Sequence, residues 1–333
     1  MDGNVGQLSF INGSIAPDSD PSEDDSLDGI VVIAMYLALL SVVGFIGNIL
    51  VMVSVAISPK LRTTSYAFIV NLSAADLLIN AIVTPLVVVS FFNSGWPHDL
   101  FWCRSLCYLL LLSVGVSLQT VMEIAASRYC FVSRPRQTYR KYFRWRVVAV
   151  LLAHNWLAPL LFIFIHRWSG FSGIQYHPVL RFCFLKYSGN PEFWYINGIM
   201  LYFLATCFLL IPCLYCMACR TLYASRRRVR PTLSKQNPGS SDHRPILRSA
   251  EVKFTKMMAL IFILLMICWA PICIMHFFAV DALSHRLGIV LLLTNSSVNP
   301  FVYAWLNTHF KRAYKRILLC GKDQRGRVKP LIV

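Results

Sequence analysis

Apolar residues of this chain are gathered into seven long blocks that are separated by polar segments. The blocks cover approximately residues 30–57, 66–92, 105–126, 147–165, 194–219, 257–280 and 287–306. Each is close to the ~20 residues that a helix needs to cross a bilayer. Strands of a membrane barrel are shorter and alternate in polarity, so the blocks predict helices. We therefore predict an all-α membrane protein, a seven-transmembrane helix bundle over residues 30–306.

Lys and Arg are concentrated in alternate gaps between the blocks. The gaps after the third and fifth blocks and the segment after the seventh are rich in them, whereas the other gaps hold few. Basic loops favour the cytoplasmic side. We therefore expect a multi-pass plasma-membrane protein with its N-terminus outside and its C-terminus inside. The net charge of +17 does not indicate nucleic-acid binding, because these residues flank apolar blocks.

The two ends of the chain differ in character. Residues 1–29 hold seven acids and no Lys or Arg, which predicts a disordered extracellular tail, and Asn12 lies in a glycosylation sequon. Residues 307–320 predict an amphipathic helix with basic residues on one face. Its Cys320 is a palmitoylation candidate, although an unmodified cysteine fits equally well. Residues 321–333 are expected to form a cytoplasmic tail that follows this helix.

The seventh block is interrupted by polar residues between Asn295 and Tyr303. Pro300 removes a helix hydrogen bond, and amide side chains in hydrocarbon need partners from neighbouring helices. One interpretation is a kinked structural helix whose amides are satisfied. The other is a hinge with a polar hub that switches between two packings.

Most blocks carry a distinctive residue or short motif, and their order is informative. These landmarks are Gly47-Asn48, Asp76, Arg128-Tyr129, Trp156, Pro212, Cys268-Trp269-Ala270-Pro271, Asn299-Pro300 with Tyr303, and Phe310. Over residues 30–320 the set resembles the class A (rhodopsin-like) G-protein-coupled receptors. Arg128-Tyr129-Cys130 and Ile267 to Pro271 are most similar to the melatonin receptors and related invertebrate orphan receptors. The resemblance implies seven helices followed by a short amphipathic helix eight.

The resemblance also implies a role for several residues. It pairs Cys103 with Cys183 in a disulfide. It implies a heterotrimeric G protein, and arrestin, as partners at the cytoplasmic end. The residues implied in switching and coupling are Arg128, Tyr129, Glu251, Asn299, Pro300 and Tyr303.

This chain departs from the family pattern at two positions. Ser127 stands where the family usually has an acid before the arginine, so Glu251 is expected to hold Arg128, unless it merely faces solvent. Arg220, eight residues after Pro212, stands where the family usually has a tyrosine. Glu123, in the third block, matches no family role.

A sodium ion inside the bundle is a further implication of the resemblance. Asp76 would be its charged ligand, with Ser117, Asn295 and Asn299 beside it. Hydroxyl and amide oxygens suit a hard cation, and a carboxylate within a membrane needs a partner. The alternative is a protonated, hydrogen-bonded Asp76 without an ion. No other cofactor is expected.

The residues that would line the ligand pocket are mostly apolar. Leu110 replaces the acid of amine receptors and Leu293 replaces the lysine of opsins, so a simple amine or covalent retinal is not expected. An apolar pocket with cationic side chains at its rim favours an apolar or lipid-like small molecule with an acidic head. Membrane lipids are expected to be further partners of the chain. A melatonin-like indole or a peptide is the alternative. The pocket residues are Leu110, Val114, Arg181, Phe208, Trp269, Ile272, His276 and Leu293.

Other classes of membrane protein fit the sequence less well. A transporter or channel would favour internal repeats or a path of several charged residues, and neither is evident. An enzyme would need a nucleophile–base pair or a cluster with metal-ligand spacing, and none stands out. We therefore predict a receptor without catalytic residues.

Overall fold

The computed structural model describes residues 27–93, 96, 99–169, 173–177, 180–185, 190–229, 244–275 and 282–319, with backbone only at 27, 190–193, 222–229, 244–252 and 282. Asn12, His276, Cys320 and the side chain of Glu251 lie outside these residues. The predictions for their glycosylation, ligand contact, acylation and ion pairing therefore stay predictions.

Seven helices are long and apolar enough to cross a membrane. Helix one is Leu27–Ile57, helix three Leu100–Ser133, helix four Trp145–Trp168, helix six Arg244–Met275 and helix seven Ala282–Leu306. Helices two and five are each interrupted by one π-helical turn. Helix two comprises Thr64–Leu78, the π turn Ile79–Val83 and Thr84–Phe92; helix five comprises Asn190–Ala205, the π turn Thr206–Leu210 and Ile211–Val229. The predicted seven-helix bundle is confirmed.

Helix eight, Thr308–Leu318, follows helix seven after a single residue, Asn307. The Asn307 side chain caps it by accepting a 2.9 Å hydrogen bond from the backbone N–H of His309. Phe310 is fully buried, whereas Lys311 is exposed. The helix therefore places an apolar face on the bundle and a basic face outwards, which confirms the predicted amphipathic helix.

A two-stranded antiparallel hairpin covers the opposite end of the bundle. Its strands are β1, Ile174–His177, and β2, Phe182–Leu185. A disulfide joins Cys183 of β2 to Cys103 of helix three, which confirms the predicted pair. Ile174 and Phe182 are buried in the same apolar cluster as Leu106 of helix three. We name this end of the bundle the disulfide end, and the other the helix-eight end.

Helix one approaches its neighbours closely at a glycine. A methyl group on Gly44 would overlap the side chains of Asn80 in helix two and Ser297 in helix seven. A methyl group on Gly47 would lie 3.0 Å from Pro300. Small residues permit such close packing between membrane helices. The polar interior of helix seven is therefore sealed from the lipid side by helix one.

A candidate ligand and switch site inside the bundle

The polar segment of helix seven is organised around the backbone break at Pro300. Proline has no N–H, so the Ser296 carbonyl has no donor from within its own helix. Asn48 Nδ2 of helix one donates to this carbonyl at 3.0 Å, and Asn80 Nδ2 of helix two donates at 3.2 Å. Ser297 Oγ donates to Asn80 Oδ1 at 2.6 Å. The amides of helices one and two thus satisfy the break, which fits either interpretation of the segment.

Asp76 lies at the centre of this polar region and is 1% exposed. Its Oδ2 accepts a 2.8 Å hydrogen bond from Asn299 Nδ2. Its Oδ1 has no hydrogen-bond partner among the described residues. Sequence reasoning paired Asp76 with Asn299, and the structure brings the two into direct contact.

A small cavity of about 20 Å³ connects the predicted sodium residues with the predicted ligand residues. Ser117 and Asn295 line it together with Leu110, Val114 and Trp269. Five residues that the sequence assigned to two separate sites therefore surround one space. Ligand pockets usually enclose about 300–1,000 Å³. The cavity has room for a water molecule or a small ion, but not for a drug-sized ligand.

The chemistry of this region fits a hard monovalent cation. The Asp76 carboxylate, which has one oxygen without a donor, contacts Asn299, and Ser117 and Asn295 line the cavity. Carboxylate, hydroxyl and amide oxygens are the ligands that hard cations take. A proton on Asp76 would also offset its charge. Ser113, which sequence reasoning missed, belongs to the same wall, and its buried hydroxyl has no hydrogen-bond partner in the described part of the chain.

The predicted apolar ligand residues come together beneath the hairpin. Leu110, Trp269, Ile272 and Leu293 belong to one apolar cluster, which also contains Phe182 of β2. Leu293 is fully buried. The hairpin thus fills the disulfide end of the bundle, and a ligand reaching this cluster has to displace it or enter between the helices.

Phe208 does not line this region, contrary to the prediction. It is 47% exposed and faces outwards. Phe203 takes its place, since its ring lies 4.6 Å from that of Trp269 and it lines the cavity. The reason is the register of helix five. The π turn, Thr206–Leu210, follows Phe203 and contains Phe208.

The inward face of helix five continues beyond the π turn. Among the helix-five side chains that the structure describes, Phe203, Thr206, Cys207, Ile211, Tyr215 and Ala218 are buried, and the last four are spaced as one helical face. Arg220, which stands where the family usually has a tyrosine, is exposed.

Tyr215, five residues before Arg220, is buried on the inward face of helix five. Its ring stacks on Phe262 of helix six at 5.8 Å, and its phenol lies within electrostatic reach of Arg128. The chain therefore has a buried tyrosine in the region of the arginine. No sequence motif marks Tyr215, so the sequence alone did not indicate this position.

Arg128 is buried at the helix-eight end and is surrounded by hydroxyl groups. Its Nη2 donates to Ser65 Oγ at 2.6 Å, to Tyr139 Oη at 3.4 Å and to Ser127 Oγ at 3.5 Å. The guanidinium also lies 4.6 Å from the ring centre of Phe254. Sequence analysis identified Ser127, but Ser65 and Tyr139 carry no motif. We name Ser65, Ser127 and Tyr139 the hydroxyl cage.

Tyr303 of helix seven is fully buried. Its ring stacks on Phe310 of helix eight at 5.3 Å. Its hydroxyl has no hydrogen-bond partner among the described residues. The phenol of Tyr215 lies within electrostatic reach. Tyr129, next to Arg128, is half-buried, and its carbonyl accepts from Ser133 Oγ at 2.7 Å.

Arg181 serves the hairpin and not the ligand cluster. It has a positive φ of 52°, which is uncommon for arginine. Its guanidinium donates to the backbone carbonyl of Phe91, and its own carbonyl accepts from Ser90 Oγ at 2.6 Å. These bonds tie the loop to helix two, so the predicted role as a ligand anchor is not what the geometry favours.

Three further ionisable side chains lie at the disulfide end: Arg286, Tyr176 and His177. Arg286 of helix seven is 4% exposed. Burial raises the pKa of the Tyr176 phenol, whereas Arg181 and Arg286 lower it. Burial also lowers the pKa of His177, so this imidazole is held neutral.

Glu123, for which the sequence gave no role, joins helix three to helix four. Its Oε2 accepts a 2.8 Å hydrogen bond from Asn155 Nδ2. Asn71 Nδ2 donates to Thr120 Oγ1 at 2.8 Å, and Trp156 Nε1 donates to Asn71 Oδ1 at 2.9 Å. These bonds join helices two, three and four in one buried polar network.

Comparison with known proteins places this arrangement in a family. Residues 47–303 match the family described as "7 transmembrane receptor (rhodopsin family)". The chain is 28% identical over 297 residues to melatonin receptor type 1A of Phodopus sungorus, covering 86% of this chain and 80% of that protein. It is 27% identical over 293 residues to human melatonin receptor type 1B, covering 85% and 77%.

A solved structure has the same fold. Squid rhodopsin matches with a TM-score of 0.78 and 18% identity over 90% of this chain and 89% of that one. The family match covers more than half of the chain, and the resemblance to melatonin receptors is confirmed. The chain belongs to the rhodopsin family of seven-transmembrane receptors, and it is a membrane receptor and not an enzyme.

Proposed function

We propose that this receptor transmits the binding of an extracellular small molecule to a heterotrimeric G protein. In this proposal the disulfide end is extracellular and the helix-eight end cytoplasmic. Basic residues support the orientation, because Arg140, Lys141, Lys311 and Arg312 are exposed at the helix-eight end. Exposed cations there also suit the polar inner surface where a G protein docks.

The main support for the proposal is that buried polar groups follow one another through the bundle, from the disulfide end to the helix-eight end. The cavity beneath Trp269 adjoins Asn295, Asp76 bonds to Asn299, and Tyr303 follows one turn later toward Arg128. A ligand that favours one packing around the cavity changes the population of states at Arg128. The hinge interpretation of Asn295 to Tyr303 is therefore the one we adopt.

The ligand that we propose is apolar or lipid-like. Leu110, Val114, Phe203, Trp269 and Leu293 supply an apolar surface beneath the hairpin. The most informative second class is indoles, since the relatives at 27–28% identity are named melatonin receptors. A large peptide fits less well, because the hairpin occupies the end of the bundle.

Three accessory features belong to the same proposal. Asp76, Ser117, Asn295 and Asn299 would hold a sodium ion in the resting receptor, and the cation would offset the buried carboxylate charge. Arrestin would bind the helix-eight end after activation. The receptor would lie at the cell surface with its N-terminus outside.

The test is a panel of G-protein activation assays in membranes that hold the full-length receptor. Basal activity is measured first, and then apolar lipids and indoles, melatonin included, are added. We expect at least one G-protein class to respond, and Arg128→Ala to abolish that response at equal surface expression. If no G protein is activated under any condition, or if Arg128→Ala signals like the parent, the proposal is wrong.

A further inference from the structure

An open groove of the described chain lies outside the bundle interior. It encloses about 800 Å³ between the outer faces of helices three and four, at the disulfide end. Its floor and walls are apolar side chains that face the bilayer, with Leu160 45% exposed, Leu161 58% and Phe164 58%. A face of this kind meets lipid tails within the hydrocarbon layer.

Two cations stand at the end of this groove. Arg104 lies in the second turn of helix three, and Arg167 lies in the last turn of helix four. Both are exposed, and both lie within electrostatic reach of the Tyr108 phenol between them. Neither guanidinium forms a hydrogen bond or an ion pair with any residue that the structure describes. Their positions at helix ends place both charges at the headgroup level of one leaflet.

The base of the groove is closed by a side-chain hydrogen bond between the two helices. Tyr108 Oη of helix three and His166 Nδ1 of helix four share a 3.2 Å hydrogen bond, and His166 is 3% exposed. This contact fixes the spacing of the two helices below the arginines. The groove is therefore an apolar channel between two helices of fixed spacing, and two positive side chains lie at one end of it.

We propose that this groove binds one phospholipid of the bilayer that carries an anionic headgroup. The phosphate would lie between Arg104 and Arg167, because a guanidinium binds phosphate oxygens in bidentate geometry. An acyl chain would run along Leu160, Leu161 and Phe164. Charge complementarity selects this occupant over a zwitterionic lipid, whose own cation would oppose the two arginines. The site is separate from the ligand cluster beneath the hairpin.

Site-resolved photolabelling tests the proposal. The receptor is placed in nanodiscs that contain traces of phosphatidylglycerol or phosphatidylcholine with a diazirine on one acyl chain, and labelled peptides are mapped by mass spectrometry. We expect the anionic probe to label residues 157–164 more than the zwitterionic probe does. The difference between the probes should be severalfold, because both arginines attract the net negative charge of the anionic headgroup.

Variants separate headgroup recognition from simple lipid contact. Arg104→Gln with Arg167→Gln is expected to bring the two probes to near parity at residues 157–164. Labelling near helix eight, where other basic residues lie, serves as the internal control and stays unchanged. Arg146→Gln, at the other end of helix four, is the matched control and retains the preference. Leu160→Trp, which fills the groove, is expected to lower labelling by both probes.

Two outcomes would overturn the proposal. Equal labelling of residues 157–164 by the two probes in the parent receptor would mean that the groove only contacts tails. Undiminished preference in the double glutamine variant would mean that other groups attract the headgroup. If the double variant is poorly expressed, Arg104→Lys with Arg167→Lys replaces it: this pair keeps the charge but not the fork, and has to retain part of the preference.

Discussion

Arg128 Nη2 donates a 2.6 Å hydrogen bond to Ser65 Oγ, which joins helix three to the first turn of helix two. Ser127, which stands where the family usually has an acid, and Tyr139 accept hydrogen bonds from the same guanidinium nitrogen. A hydroxyl group bears no net charge, so Ser127 restrains Arg128 less than an acid at that position would. The three hydroxyl groups therefore contribute hydrogen bonds, and no charge, to the restraint on Arg128.

Loss of the hydroxyl cage is expected to raise basal signalling. A hydrogen bond to a charged group contributes about 1.5–3 kcal/mol after exchange with water is counted. Ser65→Ala with Tyr139→Phe should therefore shift the equilibrium by about 1.5 kcal/mol, or roughly tenfold. The measurement is ligand-independent G-protein activation at equal surface expression. Ser169→Ala, a serine at the disulfide end, is the control and should leave it unchanged.

The position of Tyr215 predicts a loss of stimulated signalling in one variant and not in another. Tyr215→Phe removes a buried hydroxyl that lies within electrostatic reach of Arg128 and Tyr303, so the active packing is expected to lose a polar partner. We expect the maximal response to fall by about threefold or more, which corresponds to ~0.7 kcal/mol. Arg220→Gln changes an exposed side chain and should signal normally. The reverse order of effects would contradict the register of helix five.

Two phenylalanines of helix five form a matched pair for thermal stability. Phe203→Ala opens a cavity against Trp269, whereas Phe208→Ala removes a ring that faces lipid. Since lipid tails are as apolar as the protein interior, only the packing loss counts, which we place at about 1–3 kcal/mol. Unfolding of the purified receptor should therefore begin several degrees lower for Phe203→Ala alone. Equal shifts would place Phe208 inside.

Removal of the Asp76 charge is expected to abolish a sodium effect. If sodium is present at about five times its Kd, binding stabilises the resting receptor by about 1 kcal/mol. The melting temperature in NaCl should then exceed that in choline chloride by about 2–4 °C for the parent. Asp76→Asn should show no difference, whereas Glu123→Gln, the control at another buried acid, should keep it. An equal sodium effect in Asp76→Asn would show that Asp76 holds no ion.

Glu123 is expected to stabilise the contact between helices three and four. Glu123→Ala removes the 2.8 Å acceptor of Asn155 Nδ2 and leaves this amide only its longer, 3.3 Å hydrogen bond to Thr120 Oγ1. Loss of the shorter buried hydrogen bond costs about 1–3 kcal/mol of unfolding free energy. Glu123→Gln keeps an acceptor oxygen and should cost less than about 1 kcal/mol. Thermal unfolding of both variants, followed in the same detergent, distinguishes them; identical melting temperatures would rule out the role.

The fold could be predicted from the sequence because it depends on the length and apolarity of continuous segments, which are visible along the chain. Seven apolar blocks of sufficient length leave helices as the only form that satisfies the backbone in lipid. The proline at position 300 and its flanking amides marked the polar hub, and Asp76 meets Asn299 as the resemblance implied. The disulfide between Cys103 and Cys183 was implied in the same way.

The sequence could not supply the rotation of each helix about its axis or the contacts between residues that are distant in the chain. The π turn in helix five has no compositional signature, so Phe208 was placed on the wrong face. Ser65 and Tyr139 are unremarkable in sequence and become partners of Arg128 only when helix two and the short helix Arg136–Tyr142 pack beside helix three. Such contacts depend on tertiary packing, which no local pattern encodes.

The π turn at Thr206–Leu210 adds one residue to helix five and changes which side chains face the bundle beyond it. Because consecutive residues of an α-helix are about 100° apart, one added residue turns everything beyond it by that angle. A chimera that grafts this helix onto a relative with no such turn would present the wrong side chains to either the ligand or the G protein. Swaps between receptors should therefore be cut on both sides of the turn, and never within it.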